Sequence, residues 1–319
     1  MSREGSCATG DDASARPSSR CACRRNYVRA VPATRTRPLP ASLLDWGRPR
    51  LRDLPWRATR DPWSVLVAEV MLQQTQVDRV VPRWERFLER FPDVATCAAA
   101  PVGDVVREWS GLGYNRRAVN LHRCAAQVAA QHGGRLPDDL GALLDLPGIG
   151  PYTARAVLAF AFERDVAVVD TNVARVLARR TGRRLTAREA QSLADAAVPA
   201  GEGWAWNQVL LDVGATVCRA RSPHCGGCPV ADGCAWRGEG DDPARGSAGV
   251  SVAQPAFEGS DRQGRGRLVA ALGGGDVPDA DLARVMGWPD DPGRAVRVAL
   301  GVADDGLATH ANGAWRLPG

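Results

Sequence analysis

Residues 140–160 read LGALLDLPGIGPYTARAVLAF, and the fold turns on this stretch. A helical apolar pattern stops at Leu146-Pro147. A turn through Gly148-Ile149-Gly150 follows, and Pro151 opens a second helix at a position where no N–H is required. The two glycines let the backbone turn tightly and approach a partner closely. Leu146, Gly148 and Gly150 then offer backbone donors beside the positive end of the second helix, an anion site suited to a DNA phosphate. A lone G-x-G would fit an ordinary helix–helix turn equally well. The downstream sequence makes the nucleic-acid reading specific.

That downstream signal is CRARSPHCGGCPVADGC at 218–234, in which Cys218, Cys225, Cys228 and Cys234 are spaced C-x6-C-x2-C-x5-C. Four thiolates in so short a loop can hold one tetrahedral centre, with Pro229 stiffening the turn after the third. A zinc site usually shows two C-x2-C pairs set well apart. Only one pair is present here, so a cubane 4Fe–4S cluster is the better reading. The remaining cysteines (Cys7, Cys21, Cys23, Cys97, Cys124) lack ligand spacing.

The chain has 319 residues, a formal net charge of +5 and 41 basic residues, all of them arginine. Without lysine, no side-chain amine can form a Schiff base. The positive excess suits phosphate contacts, the odd cysteine count argues for a reducing interior, and no apolar run reaches membrane-span length. Residues 1–40 carry eight arginines against three acids and read as a disordered basic arm. Helical spacing then dominates residues 41–237, a mainly α core. Its 54–165 stretch reads as a six-helix domain bearing the hairpin, and 41–53 with 166–237 as a cluster domain. Asp61-Pro62 should open a helix running to about Val77. Residues 238–254 (beginning GEGDDPARGSAG) read as a linker. Helical segments near 265–273, 279–286 and 291–302, then a hairpin turning at Asn312-Gly313, make 255–319 a small winged-helix-like module.

Two carboxylates stand out. Glu69, inside VLVAEVMLQQTQV, sits on an apolar helix face, where desolvation should raise its pKa and make it a proton donor near neutral pH. Asp170 precedes TNVARVLARR at a helix N-terminus, where the dipole and free N–H groups should favour the ionised form. A plain N-cap explains Asp170 as well. One carboxylate pushed up and one pushed down is the arrangement that cleavage of a glycosidic bond needs.

Taken in order, LPWR (54–57), AEVMLQQTQV (68–77), GLGY (111–114), LPGIGPYTA (146–154), VVDTNVARVL (168–177), NQVLLDVGATVC (207–218) and the cysteine quartet resemble the helix-hairpin-helix DNA glycosylases with a 4Fe–4S loop. Within them, the chain is most similar to the MutY-type A/G-specific adenine glycosylases over residues 43–237. The resemblance implies removal of adenine mispaired with 8-oxoguanine or guanine in double-stranded DNA, by a monomer located in the cytoplasm with the nucleoid. It implies that Glu69 protonates the adenine and that Asp170 stabilises the oxocarbenium-like sugar beside Asn172. Tyr152 stands where bifunctional endonuclease III enzymes carry a lysine nucleophile. Arg57 and Gln208 match residues near the flipped adenine, and Gln74 and Tyr114 match wedges in the duplex. The departure is at the C-terminus, where many family members carry a large α/β domain that embraces the oxidised guanine. Only 65 residues (255–319) stand here, with a different pattern. Competing readings are a thymine/uracil mismatch or oxidised-pyrimidine glycosylase of the same superfamily, and a non-catalytic iron–sulfur DNA-binding protein. Glu69 and Tyr152 argue against the lyase, Glu69 together with LQQTQ (72–76) argues against the thymine mismatch enzyme, and the presence of both Glu69 and Asp170 argues against a non-catalytic protein.

Overall fold

The computed structural model describes residues 39–247, 249 and 256–319; the expected basic arm up to residue 38 lies outside the described residues. Helix α1 (Ser42–Gly47) precedes α2 (Pro62–Leu72), whose N-terminus is capped by the Asp61 carboxylate accepting from the Ser64 N–H at 2.8 Å. Trp63 and every residue from Val65 to Met71 are buried. A helix that is apolar all round belongs at the centre of its domain. Around it lie α3 (Val77–Arg90), α4 (Val94–Ala99), α5 (Val102–Glu108) and α6 (Arg116–Gln131). The hairpin pair α7 (Leu140–Leu144) and α8 (Pro151–Phe160) completes this layer.

Helix α2 ends at Leu72 rather than near Val77. Gln74 adopts a left-handed backbone with φ of 57°, which no continuing α-helix tolerates. The cause is a distant side chain. The buried Arg117 of α6 donates to the carbonyls of Val70, Met71 and Gln73 at 2.7, 2.9 and 2.7 Å, satisfying the helix end in place of a further turn. It also donates to the Gly113 carbonyl at 2.9 Å, so one guanidinium holds both the 73–75 and 112–114 loops. Burial lowers its pKa to about 10.

A second apolar cluster forms where α1 packs with α9 (Thr171–Thr181), α10 (Ala187–Asp195) and α11 (Gly203–Asp212). The cysteine loop closes this cluster, with Val230 buried in it. Part of the expected linker is pinned here: Asp242 pairs with the buried Arg179 of α9 at 2.7 Å.

The C-terminal module has three helices and a small antiparallel sheet. These are α12 (Asp261–Gly274), β1 (Val277–Pro278), α13 (Asp279–Met286), α14 (Pro292–Asp304), β2 (Thr309–Ala311) and β3 (Ala314–Arg316). The sheet order is β1-β3-β2. Asn312 and Gly313, both at positive φ, turn the hairpin. Helix α12 begins earlier than its apolar pattern suggests because Ser260 caps it, accepting from the Gln263 N–H at 3.3 Å. The module's Leu268, Leu282 and Trp315 join the apolar cluster built around α2. Its tail docks on α5, where the Gly103 N–H donates to the Pro318 carbonyl at 3.0 Å. A Cβ at Gly103 would come within 2.4 Å of that oxygen, so only glycine permits the approach. No helix among the described residues is long and apolar enough to cross a membrane.

Candidate active site

The N-terminus of α9 and the middle of α2 meet across a cavity of about 680 Å3. Arg57, Glu69, Gln74, Tyr152, Asp170, Asn172 and Gln208 all line it, drawn from five separate stretches of chain. Tyr114 lies outside it, in a neighbouring pocket, and the hairpin turn residues Leu146, Gly148 and Gly150 line neither.

Glu69 is 5% exposed, and its Oε2 has no hydrogen-bond partner among the described residues. Burial pushes its carboxyl up to about 7, against the opposing hydrogen bond from the Tyr152 hydroxyl and the more distant charge of Arg57; the negative charge of Asp170 adds to the push. A neutral carboxyl at physiological pH is a proton donor in waiting. Asp170 departs from expectation. Its pKa is raised, not lowered, because loss of water outweighs its donors. Those donors are the N–H groups of Asn172 and Val173 at 2.8 and 2.7 Å and the Asn172 Nδ2 at 2.7 Å. The contrast between the two acids therefore lies in their donors: three N–H groups support the ionised form of Asp170, and a single hydroxyl supports that of Glu69.

Arg57 is held by a partner that sequence reasoning missed. Asp212, at the end of α11, accepts from Arg57 Nη1 and Nη2 at 2.8 and 2.9 Å and from Arg52 Nε at 2.7 Å. Burial pushes the Asp212 carboxyl up, yet the donors from Arg57 and Arg52 overcome it and leave the pKa lowered. Sequence offers no local signal for a pair 155 residues apart.

Within the hairpin, the Asp139 carboxylate caps α7 by accepting from the Ala142 N–H at 2.9 Å. Gly148 takes φ of 77° and lies so close to Asn120 that a Cβ would come within 2.7 Å of it. The Leu146 N–H is spent on the Leu143 carbonyl at 3.2 Å, which removes it from the expected donor set. Among the described residues, the N–H groups of Gly148 and Gly150 have no protein acceptor and stay available.

Cys218, Cys225, Cys228 and Cys234 ring one cavity of about 350 Å3. Among the described residues no three metal-binding side chains converge on a single ion; the thiols instead surround a volume, which fits a multinuclear cluster. Burial raises the Cys218 thiol pKa, while Arg179, whose Nη1 donates to its Sγ at 3.4 Å, and Arg175 oppose that rise and favour the thiolate a cluster needs. Three buried arginines of α9 fix the loop. Arg175 donates to the Cys218 carbonyl (2.8 Å), Arg179 to that of Arg219 (2.7 Å) and Arg180 to that of Val230 (2.9 Å). Arg175 also reaches the Asn172 Oδ1 at 2.7 Å, so one helix carries both the pocket acid and the scaffold of the loop. Purified protein should be brown, with four irons per chain and broad thiolate-to-iron absorption. Cys225→Ser should lower Tm and DNA affinity together, and stoichiometric zinc in anaerobically prepared protein would contradict the cluster.

Residues 67–198 match the HhH-GPD superfamily of base excision DNA repair proteins, and residues 218–234 match the iron–sulfur binding domain of endonuclease III. Similarity to adenine DNA glycosylase of Mycobacterium tuberculosis is 41% identity over 286 residues, covering 87% of this chain and 93% of that protein. A thermostable thymine-DNA glycosylase superimposes with a TM-score of 0.59 at 32% identity, covering 61% of this chain and 93% of that one. Endonuclease III in a non-covalent DNA complex gives 0.54 at 26% identity, covering 61% and 92%. The chain belongs to the adenine DNA glycosylase family. Its iron–sulfur binding motif, residues 218–234, indicates a 4Fe–4S cluster.

Proposed function

We propose that the protein hydrolyses the N-glycosidic bond of adenine mispaired with 8-oxoguanine or guanine in duplex DNA, acting as a monomer without lyase activity. The observation that carries this reading is Glu69: a buried carboxyl with a pKa near 7 and one unpartnered oxygen, lining a cavity shared with Asp170. A stacked adenine is out of reach, so the nucleotide must be flipped into this cavity. Gln74 and Tyr114, on the two loops pinned by Arg117, fill the vacated space. The Gly148 and Gly150 amides hold a phosphate at the hairpin. Arg57 and Gln208 line the wall against which the base is held, with Arg57 kept rigid by Asp212.

Glu69 then gives its proton to an adenine ring nitrogen. The C1′–N9 bond breaks, its electron pair leaves with the base, and positive charge develops on the sugar. Asp170 faces that charge as a carboxylate, oriented by the Asn172 and Val173 amides, and a water adds its oxygen at C1′ while its released proton returns to the Glu69 carboxylate. Tyr152 steadies Glu69 through its hydroxyl. The four cysteines hold the cluster, which cross-links the loop and takes no part in these steps.

A lyase of this superfamily would attack the sugar with an amine, forming an imine that borohydride traps. This chain has no lysine, and Tyr152 occupies the matching position. Excision should leave abasic strands that break only with alkali or heat, and borohydride should give no adduct. An adduct that survives removal of residues 1–40 with acetylation of the terminal amine so exposed would overturn the monofunctional reading.

A further inference from the structure

Residues 235–247, between the last cysteine and the C-terminal module, fold back along α9 and against the cysteine loop. The Ala235 and Trp236 N–H groups donate to the carbonyls of Arg180 and Arg179 at 3.0 and 3.2 Å. A Cβ at Gly238 would lie 3.3 Å from the Cys225 Sγ. Ala244 is buried in the second apolar cluster. The Ser247 hydroxyl accepts from the Leu185 N–H at 3.2 Å and donates to the Pro243 carbonyl at 2.8 Å. At the middle of this strap, Asp242 grips the buried Arg179. Arg179 Nε and Nη2 donate to its two oxygens at 3.1 and 2.7 Å, and the Ala244 N–H holds one of those oxygens at 3.0 Å. Nη2 also donates to the Ala220 carbonyl at 3.2 Å. That leaves Nη1, which donates to the Cys218 Sγ at 3.4 Å and the Arg219 carbonyl at 2.7 Å. The Trp236 ring lies over the guanidinium at 4.4 Å.

We propose that Asp242 is a positioning residue for the iron–sulfur cluster: it aims the Arg179 guanidinium at the Cys218 sulfur, and Trp236 closes over the pair. Neither contact depends on which base is excised. A two-point carboxylate contact fixes the plane of a guanidinium as a single contact cannot. Hydrogen bonds to the ligating sulfurs, and exclusion of water around them, set the electronics of such clusters. The outer partners of a metal ligand are worth about 10- to 100-fold in metal affinity.

Charge alone does not account for the arrangement. A cluster held by four thiolates is anionic and gains from a cation beside it, whereas Asp242 offsets the charge of that cation. A carboxylate in this place serves direction. The Arg179 side chain is 2% exposed and that of Asp242 13%, so water does not compete for the contact.

The test uses full-length, cluster-loaded protein challenged with hydrogen peroxide and excess EDTA, with the decay of the thiolate-to-iron absorbance timed. Visible circular dichroism of the unchallenged protein reads the geometry at the sulfurs. Asp242→Asn should lose the cluster about tenfold faster and alter the dichroism, and Asp242→Glu should recover most of the difference. In an Arg179→Met background, Asp242→Asn should add less than about twofold, because the donor it aims is gone. Trp236→Leu leaves the ion pair whole and should speed the loss in the same direction, so it decides the matter if the Asp242 variant misfolds. A merely structural anchor would loosen the strap, seen as faster amide exchange over residues 236–247, without touching the dichroism. Unchanged dichroism in Asp242→Asn, or loss less than about threefold faster in both Asp242→Asn and Trp236→Leu, overturns the inference. So does an equal effect of Asp242→Asn with and without Arg179.

Discussion

Glu69→Gln should lower single-turnover adenine excision by about two to four orders of magnitude while retaining affinity for mispaired duplex. The amide keeps the volume of the side chain and can still accept from Tyr152, but it has no proton to give. In the wild type Glu69 acts protonated and Asp170 ionised, so the rate should fall about tenfold per unit above pH 7, following the Glu69 carboxyl, and fall again in acid as Asp170, whose pKa is raised, takes up a proton. Stability moves the same way. The folded carboxyl titrates near 7 against an ordinary value of 4.5, so the proton is held more tightly in the folded state. That contribution is fully present below about pH 4.5 and lost as pH rises through 7, leaving the ionised, buried carboxylate destabilising by about 3 kcal/mol. The Gln variant should therefore melt above the wild type near pH 8, with the gap closing toward acid pH. A Tm equal to or below the wild type at pH 8 would contradict burial of Glu69 as the source of its pKa.

Asp212→Leu should destabilise the fold by about 3–5 kcal/mol, because it leaves the buried Arg57 and the partly buried Arg52 without their shared counter-charge. The effect is large because Asp212 joins the end of α11 to Arg52 and Arg57, which line the catalytic cavity. Excision should fall as well, since Arg57 loses the bidentate contact that fixes its guanidinium. Arg57→Leu in the same background should recover part of the stability, because the orphaned charge is then gone, without recovering activity. Chemical denaturation of the two single variants and the double variant reads this coupling directly. Strictly additive losses would show that the pair is not the stabilising unit.

Much of this architecture is legible in short stretches of sequence. The hairpin, the cysteine quartet, the Asp61-Pro62 helix start and the Asn312-Gly313 turn depend on residues a few positions apart, so local chemistry decides them. The burial of Glu69 is legible too, because α2 is apolar on every face and leaves its acid nowhere else to go. What escaped reading depends on distant partners. Helix α2 stops at Leu72 because Arg117, more than 40 residues away, takes its last carbonyls. Asp170 has the sequence of an exposed N-cap, yet the cavity around it raises its pKa, and nothing in TNVARVLARR announces that cavity. Nothing in the sequence of α9 singles out Arg175, Arg179 and Arg180. All three are buried, and their donors go to the carbonyls of the cysteine loop.

The central claim is that a protonated Glu69 and a carboxylate at Asp170 cleave adenine from a mispair. Base release measured on four duplexes tests it most directly: adenine opposite 8-oxoguanine, adenine opposite guanine, thymine opposite guanine, and an oxidised pyrimidine opposite guanine. The account predicts release of adenine from the first two, intact abasic strands afterwards, and loss of both activities in Glu69→Gln and Asp170→Asn. Release of thymine or the oxidised pyrimidine in place of adenine, or wild-type release of adenine by the Glu69 variant, would contradict it.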